Sequence, residues 1–144
     1  MKNIALLLAL LLAPLGLVTF GISMPVCARL GLSLMFAFTG VGHFVKHREM
    51  QEMIPANFPL RSPVIYASGV LEWAFAGAIW IKPIAQPAGV VLCLFLVAVF
   101  PANIYSARSR IAFGGHAAGL RYLWVRAPLQ LLLLGWTWFF VARK

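Results

Sequence analysis

Five long runs of apolar residues, separated by short polar or proline-containing connections, dominate this sequence. The runs cover residues 4–23, 30–45, 64–81, 87–105 and 122–141. A helix needs about 20 mostly apolar residues to cross the hydrocarbon core of a bilayer. With 62% hydrophobic and only 10% charged residues, the 144-residue chain has too little polar surface to cover a water-soluble globule. The sequence therefore predicts an all-α integral membrane protein.

The short connections favour antiparallel packing of neighbouring helices. We interpret residues 29–144 as an antiparallel four-helix transmembrane bundle, and residues 1–28 as an extra N-terminal transmembrane helix with its connector. The first run has a second interpretation, because Lys2 and the leucine-rich stretch after it resemble a secretory signal peptide. Its length and the lack of a clear cleavage motif favour an uncleaved signal anchor. Pro14 and Gly16 are expected to kink this helix.

The distribution of Lys and Arg predicts the orientation of the chain. With five spans, eight of the 12 basic residues fall on one side of the membrane and four on the other. The richer side is expected to be cytoplasmic, which predicts a bacterial inner (plasma) membrane protein with its N-terminus inside and its C-terminus outside. The net charge of +9 is interpreted as loop anchors and contacts with anionic lipid. No nucleic-acid recognition motif accompanies this charge, so we expect no nucleic-acid partner.

Five polar residues lie inside the apolar runs, where they are costly and therefore candidates for function. They are His43, Glu72, Asn103, Arg126 and Gln130. Counted at 1.5 Å per residue, Glu72 and Gln130 lie about 12 Å deep and Arg126 about 6 Å deep. Alternating helix directions bring all five into the cytoplasmic half of the bilayer. We therefore predict a polar cluster, or a ligand pocket, formed by these residues.

Glu72 is the only acidic residue inside a predicted span. It shares a helix face with Ser68, Gly69 and Ala76, small residues that let a neighbouring helix approach closely. A buried carboxylate either becomes neutral or finds a cation, and Arg126 is the cation nearest in depth. We predict that Glu72 and Arg126 belong to one hydrogen-bonded cluster. The alternative is a purely architectural role, because polar side chains also hold helices together.

Metal binding is not favoured by the sequence. His43 and His47 are spaced i, i+4, as metal ligands on a helix are, and Glu49 or Glu52 could complete such a site. The basic side chain of Lys46 beside them disfavours a second cation, so we predict no metal.

Other redox and catalytic signatures are also missing from the sequence. Cys27 and Cys93 are far apart and form no C-x-x-C motif, which is typical of small apolar core residues. No nucleophile–base pair, phosphate loop or haem attachment motif is evident. An autonomous enzyme is therefore not favoured.

The chain resembles the DoxX family of small integral membrane proteins over about residues 29–141. The resemblance is carried, in order, by Arg29, Gly40, His43, Phe44, Met50, Met53 and Pro55, then by residues 64–72, 100–105 and 126–130. It implies a compact four-helix membrane bundle, in which the five polar residues fall on the family pattern. The N-terminal run lies outside it. Members are associated with quinone oxidoreductases, oxidative-stress complexes and receptor assembly.

Three hypotheses about function arise from these residues and this resemblance. The leading one is an accessory protein of a redox or stress-response complex, whose intramembrane polar pocket binds a quinone or another lipid-like molecule. The second is an assembly factor or chaperone for another membrane protein. The third is a membrane enzyme that uses Glu72 or His43 for proton transfer.

Overall fold

The computed structural model describes the backbone of residues 2–143 and the side chains of residues 4–143. All regular secondary structure in that part of the chain is helical. The six α-helices are α1 (Lys2–Leu12), α2 (Met24–Val45), α3 (His47–Gln51), α4 (Arg61–Ala78), α5 (Lys82–Arg108) and α6 (Leu123–Thr137). Two 3₁₀ helices, Ala13–Phe20 and His116–Tyr122, lie before α2 and α6, and a π-helical turn, Trp138–Ala142, comes after α6.

Three helical stretches are long and apolar enough to span a membrane. They are Met24–Val45, Lys82–Arg108 and His116–Ala142, of 22, 27 and 27 residues. Even the shortest, at about 33 Å, exceeds the hydrocarbon thickness of about 30 Å. Helix α4 is less apolar, because it contains Arg61 and Glu72. The first apolar run forms the shorter helical segment Ile4–Phe20. Three of the five predicted spans are thus confirmed in length and apolar character.

The first segment changes its helix type at the residue before Pro14. Helix α1 ends at Leu12, and the chain continues as a 3₁₀ helix. Proline has no backbone N–H to donate and its ring crowds the preceding turn, which accounts for this change. Leu11 is fully buried. A Cβ on Gly31 would overlap the carbonyl oxygen of Leu11, so this segment packs directly against α2.

Helices α2 and α4 form an antiparallel pair. Ser33 Oγ donates to the carbonyl oxygen of Ala76 at 2.8 Å. Further along, Trp73 Nε1 donates to the carbonyl oxygen of Ala37 at 3.1 Å. Residue numbers rise on α2 as they fall on α4, which sets the direction and register of the pair.

The connection between this pair contains the short helix α3, which the sequence did not predict. Helix α3 ends at Gln51 and turns continue up to Leu60, in a stretch that contains Pro55 and Pro59. The side chain of Arg61 returns to the carbonyl oxygen of Gln51. This contact ties the loop to the start of α4.

Helices α5 and α6 form a second antiparallel pair. Gln130 Nε2 donates to the carbonyl oxygen of Leu96 at 2.6 Å. Near the far end, a Cβ on Gly89 would meet the backbone of Ala142, so the two helices approach closely there.

The start of α2 contacts α6 and the π-helical turn after it. Trp136 Nε1 donates to the carbonyl oxygen of Ala28 at 3.1 Å, and Arg29 Nε donates to that of Phe140 at 3.2 Å. Both pairs of helices contribute to one buried apolar cluster, which includes Leu32, Met35, Phe36, Phe75, Ile79, Leu92, Leu96, Leu129 and Leu133.

Candidate functional site

A glycine contact between α2 and α4 positions the candidate site. Gly40 and Gly69 face each other, and a Cβ on either would lie 3.1 Å from the other's carbonyl oxygen. A Cβ on Gly69 would also lie 2.7 Å from His43 Cβ. The close approach predicted from the small residues beside Glu72 is therefore present at Gly69. It brings His43, at the end of α2, over the first half of α4.

His43 and Glu72 form the central pair of the site. His43 Nε2 lies 3.5 Å from Glu72 Oε1, and their side chains are 15% and 11% exposed. His43 Nδ1 lies 3.0 Å from the carbonyl oxygen of Ile65. A carbonyl oxygen only accepts hydrogen bonds, so Nδ1 carries the hydrogen. The other ring nitrogen, Nε2, faces the carboxyl group of Glu72.

The second oxygen of Glu72 has no partner in the described part of the chain. Oε2 is buried and makes no hydrogen bond there. A buried polar atom without a partner is costly. The contact between α2 and α4 therefore leaves Glu72 Oε2, a buried acceptor, without a hydrogen-bond partner among the described residues.

Helix α6 brings further unpartnered polar atoms to the buried interior. Gln130 is 4% exposed, and its Oε1 has no partner in the described part of the chain, although its Nε2 is bonded. The Nε of Arg126, one turn earlier, is also buried and unbonded among the described residues. Asn103 is 5% exposed, but its side chain bonds the carbonyl oxygen of Val99 in its own helix. Asn103 is thus buried, and its amide nitrogen is hydrogen-bonded within its own helix.

The depth of Glu72 matches that of Gln130. The rings of Phe75 and Phe95 lie 5.7 Å apart, which aligns α4 with α5. Glu72 lies three residues before Phe75, and Gln130 bonds Leu96, the residue after Phe95. The two polar side chains therefore lie at a similar level along the helices.

The expected contact between Glu72 and Arg126 is not found among the described residues. The basic side chain close to Glu72 is that of His43. Arg126 lies instead within electrostatic reach of His116 and Tyr122, at the start of the last span. The membership of Arg126 in one pocket with Glu72 stays a prediction.

A row of polar and aromatic side chains next to His43 was not identified from the sequence. His47 Nε2 lies 2.7 Å from Ser62 Oγ and 2.9 Å from Gln51 Nε2. The His47 ring stacks on Tyr66 at 4.4 Å, and Tyr66 meets Phe44 at 5.5 Å. His47 is therefore used in packing and hydrogen bonding with α4. Its spacing from His43 was the available signal, and it was considered only as a metal-ligand pattern, which the sequence did not favour.

Metal ligands do not gather in the described residues. These contain no group of three or more His, Cys, Asp or Glu side chains placed to hold a metal ion. The two cysteines, Cys27 and Cys93, are free thiols.

Two clefts open elsewhere, at the end where α5 meets the last span. One, of about 320 Å³, lies against three arginines of the α5–α6 connection. The other, of about 460 Å³, runs along the first half of α6 and is lined by apolar side chains. Neither is lined by the five polar residues predicted from the sequence.

Comparison with known proteins identifies a family but no activity. A family model described as a domain of unknown function (DUF8561) matches residues 32–141, which is most of the chain. No curated protein and no solved structure matches.

Proposed function

We propose that this chain, which belongs to the DUF8561 family, is a multi-pass bacterial inner-membrane protein that binds a quinone or another lipid-like molecule in its interior. It serves as an accessory protein of a redox or stress-response complex. The N-terminus is cytoplasmic and the C-terminus is periplasmic. The resemblance to the DoxX family belongs to the same proposal.

The proposed architecture is an antiparallel four-helix bundle with an extra N-terminal helix. The hydrogen bonds of α2 with α4 and of α5 with α6 support two antiparallel pairs. The Phe75–Phe95 contact joins α4 to α5, and the Trp136–Ala28 bond joins the last span to α2. Each of the four long helices therefore has a neighbour on two sides, as in a closed bundle.

The observation that carries the binding proposal is the unpartnered Oε2 of Glu72. Glu72 is 8% exposed, and its other oxygen is engaged with His43. Intramembrane ionisable residues are rare, and they commonly mark sites of ligands or proton pathways. A hydroxyl or amide of a bound molecule would satisfy this oxygen. The buried apolar cluster that includes Phe75, one turn along α4, suits the ring or chain of such a molecule.

Three of the six buried side-chain atoms without a partner among the described residues indicate the chemistry of the head group. Glu72 Oε2 and Gln130 Oε1 are acceptors, and Arg126 Nε is a donor. A head group with both hydroxyl and carbonyl oxygens matches this combination. A quinol donates through its hydroxyl groups, and a quinone accepts at its carbonyl oxygens. A saturated hydrocarbon offers neither.

The test is to identify the molecules that co-purify with the protein. The wild-type protein and the Glu72→Ala and Gln130→Leu variants would be purified in mild detergent, and bound quinones and lipids measured by mass spectrometry. We expect at least a tenfold loss of one quinone-like species in Glu72→Ala. Gln130→Leu should lose ligand while changing the free energy of unfolding by less than about 1 kcal/mol, since it removes one hydrogen bond and one unsatisfied acceptor together.

Ser68→Ala is the matched control, because Ser68 lies one turn from Glu72 and its hydroxyl bonds its own helix at an exposed position. It should retain the ligand. Equal ligand content in folded wild-type, Glu72→Ala and Ser68→Ala proteins would refute the pocket. A stable protein partner without any small molecule would favour the assembly factor. An activity lost in Glu72→Gln would favour the enzyme.

A further inference from the structure

Arginines gather at the end of the structure where α5 passes into the last span. Arg108, Arg110 and Arg121 line a cleft of about 320 Å³, together with small residues and Leu120. All three arginine side chains are exposed. Three like charges around one cleft repel each other unless an anion lies between them.

Among the described residues, no acidic side chain lines this cleft. Residues 73–144 contain seven Lys and Arg and no Asp or Glu. Within the described residues, the ion pairs are His43–Glu72 and Lys46–Glu49, and neither involves these arginines. The cleft is therefore open to an anionic group of another molecule.

The backbone holds one of these arginines in a conformation that normally belongs to glycine. Helix α5 ends with the N–H of Ile111 bonded to the carbonyl oxygen of Ser106, and Arg110 has a φ of 50°. This closing position of a helix usually contains glycine, because a Cβ is crowded in the left-handed region. Arg110 adopts this conformation despite its Cβ. Its side chain packs over Gly119, which also lines the cleft.

An apolar groove continues from the arginine cleft along α6. Leu120 lines both, and the groove of about 460 Å³ also includes Trp124, Ala127 and Leu131. Trp124 is 84% exposed and Leu131 is 69% exposed. Tryptophan is enriched at the level of lipid head groups, and the groove runs from there toward the middle of an apolar helix.

We propose that the cleft and the groove form one binding site for an anionic phospholipid, separate from the site at Glu72. The arginines of the cleft hold the phosphate group, and an acyl chain lies in the groove along α6. Guanidinium groups bind phosphate oxygens through paired hydrogen bonds. The continuity of a cationic cleft with an apolar groove distinguishes this ligand from a free phosphate ion, which has no chain to bury.

The test measures which lipids stay bound when the full-length protein leaves a mixed bilayer. The protein would be reconstituted in nanodiscs of equal phosphatidylglycerol and phosphatidylcholine, released, and analysed by native mass spectrometry. We expect phosphatidylglycerol to be enriched on the wild-type protein. Replacing the three arginines by glutamine should reduce that enrichment at least tenfold. Ala127→Phe, which fills the groove and keeps every charge, should also reduce it.

The matched control removes three basic residues elsewhere, through Arg48→Gln, Lys82→Gln and Arg143→Gln. This variant has the same net charge as the cleft variant and should keep most of the enrichment. Equal losses in both triple variants would mean diffuse attraction to the surface and would overturn the site. Excess inorganic phosphate should not displace the lipid. If phosphate does displace it, or if Ala127→Phe has no effect, the groove has no part in binding and the phospholipid assignment is wrong.

Discussion

The glycine contact between α2 and α4 allows a quantitative prediction for Gly69→Ala. The added methyl carbon would lie 2.7 Å from His43 Cβ, 2.9 Å from Phe44 Cε2 and 3.1 Å from the carbonyl oxygen of Gly40. Carbon atoms in contact prefer about 3.5–4.0 Å, so α2 must move away by roughly 1 Å. Two of the three neighbours belong to or adjoin the backbone, and a change of rotamer cannot relieve those contacts.

Overpacking of this kind costs about 1–3 kcal/mol. The control is Gly77→Ala in the same helix, where an added Cβ meets nothing within 4 Å. Both variants gain the same intrinsic preference of alanine over glycine in a helix, about 1 kcal/mol. The difference between them therefore isolates the contact with α2. We expect Gly69→Ala to unfold with a free energy about 1–3 kcal/mol lower than that of Gly77→Ala.

The assay is reversible unfolding of the two variants in the same detergent, monitored by tryptophan fluorescence and circular dichroism. Movement of α2 away from α4 should also increase the distance between His43 and Glu72. The Gly69→Ala variant should therefore bind less of any ligand held by that pair. If the two variants differ by less than about 0.5 kcal/mol, the helices are not in the close contact described.

Two further predictions concern the ends of the structure. Arg29→Gln should lower the free energy of unfolding by about 1–2 kcal/mol, because Arg29 donates to the buried end of the last span at Phe140; Lys82→Gln, at an exposed basic position, should change it little. Glu49 has a lowered pKa, because hydrogen bonds from its own backbone and from Lys46 favour the carboxylate. Its small contribution to stability is complete above the ordinary pKa of 4.5 and is lost as the pH falls through the lower folded value. An acid titration of thermal stability should therefore be flatter below pH 4.5 in Glu49→Gln than in the wild type, and parallel curves would contradict this role.

The sequence predicted which polar side chains are buried better than it predicted the contacts that these side chains make. Glu72, Asn103 and Gln130 were selected because polar groups are costly in apolar runs, and all three are buried. Depth along a helix can be counted from residue number, but the direction of a side chain around the bundle depends on how the helices pack. For that reason the sequence predicted a cluster that includes His43 and Glu72, but it favoured Arg126 rather than His43 as the partner of Glu72.

The sequence also did not predict local conformations that depend on tertiary contacts. Helix α3 contains only five residues, too few to be stable alone, and the side chain of Arg61 returns to its last carbonyl. The sequence did not indicate the left-handed conformation of Arg110, because glycine or asparagine is expected at such a position. The apolar runs, in contrast, are local properties of the chain, and they predicted the long helices directly.

The pairing of neighbouring helices has a consequence for biogenesis. Helices α2 and α4 contact each other through residues close in the chain, as do α5 and α6, so each hairpin can form while the ribosome is still synthesising the rest of the polypeptide. The bonds Arg29–Phe140 and Trp136–Ala28 join residues 111 and 108 positions apart, so they form only after the last span has been synthesised. Stable helices in a bilayer associate after insertion. We therefore expect the two hairpins to insert in order, with closure at Arg29 as the last step before the protein becomes resistant to proteases.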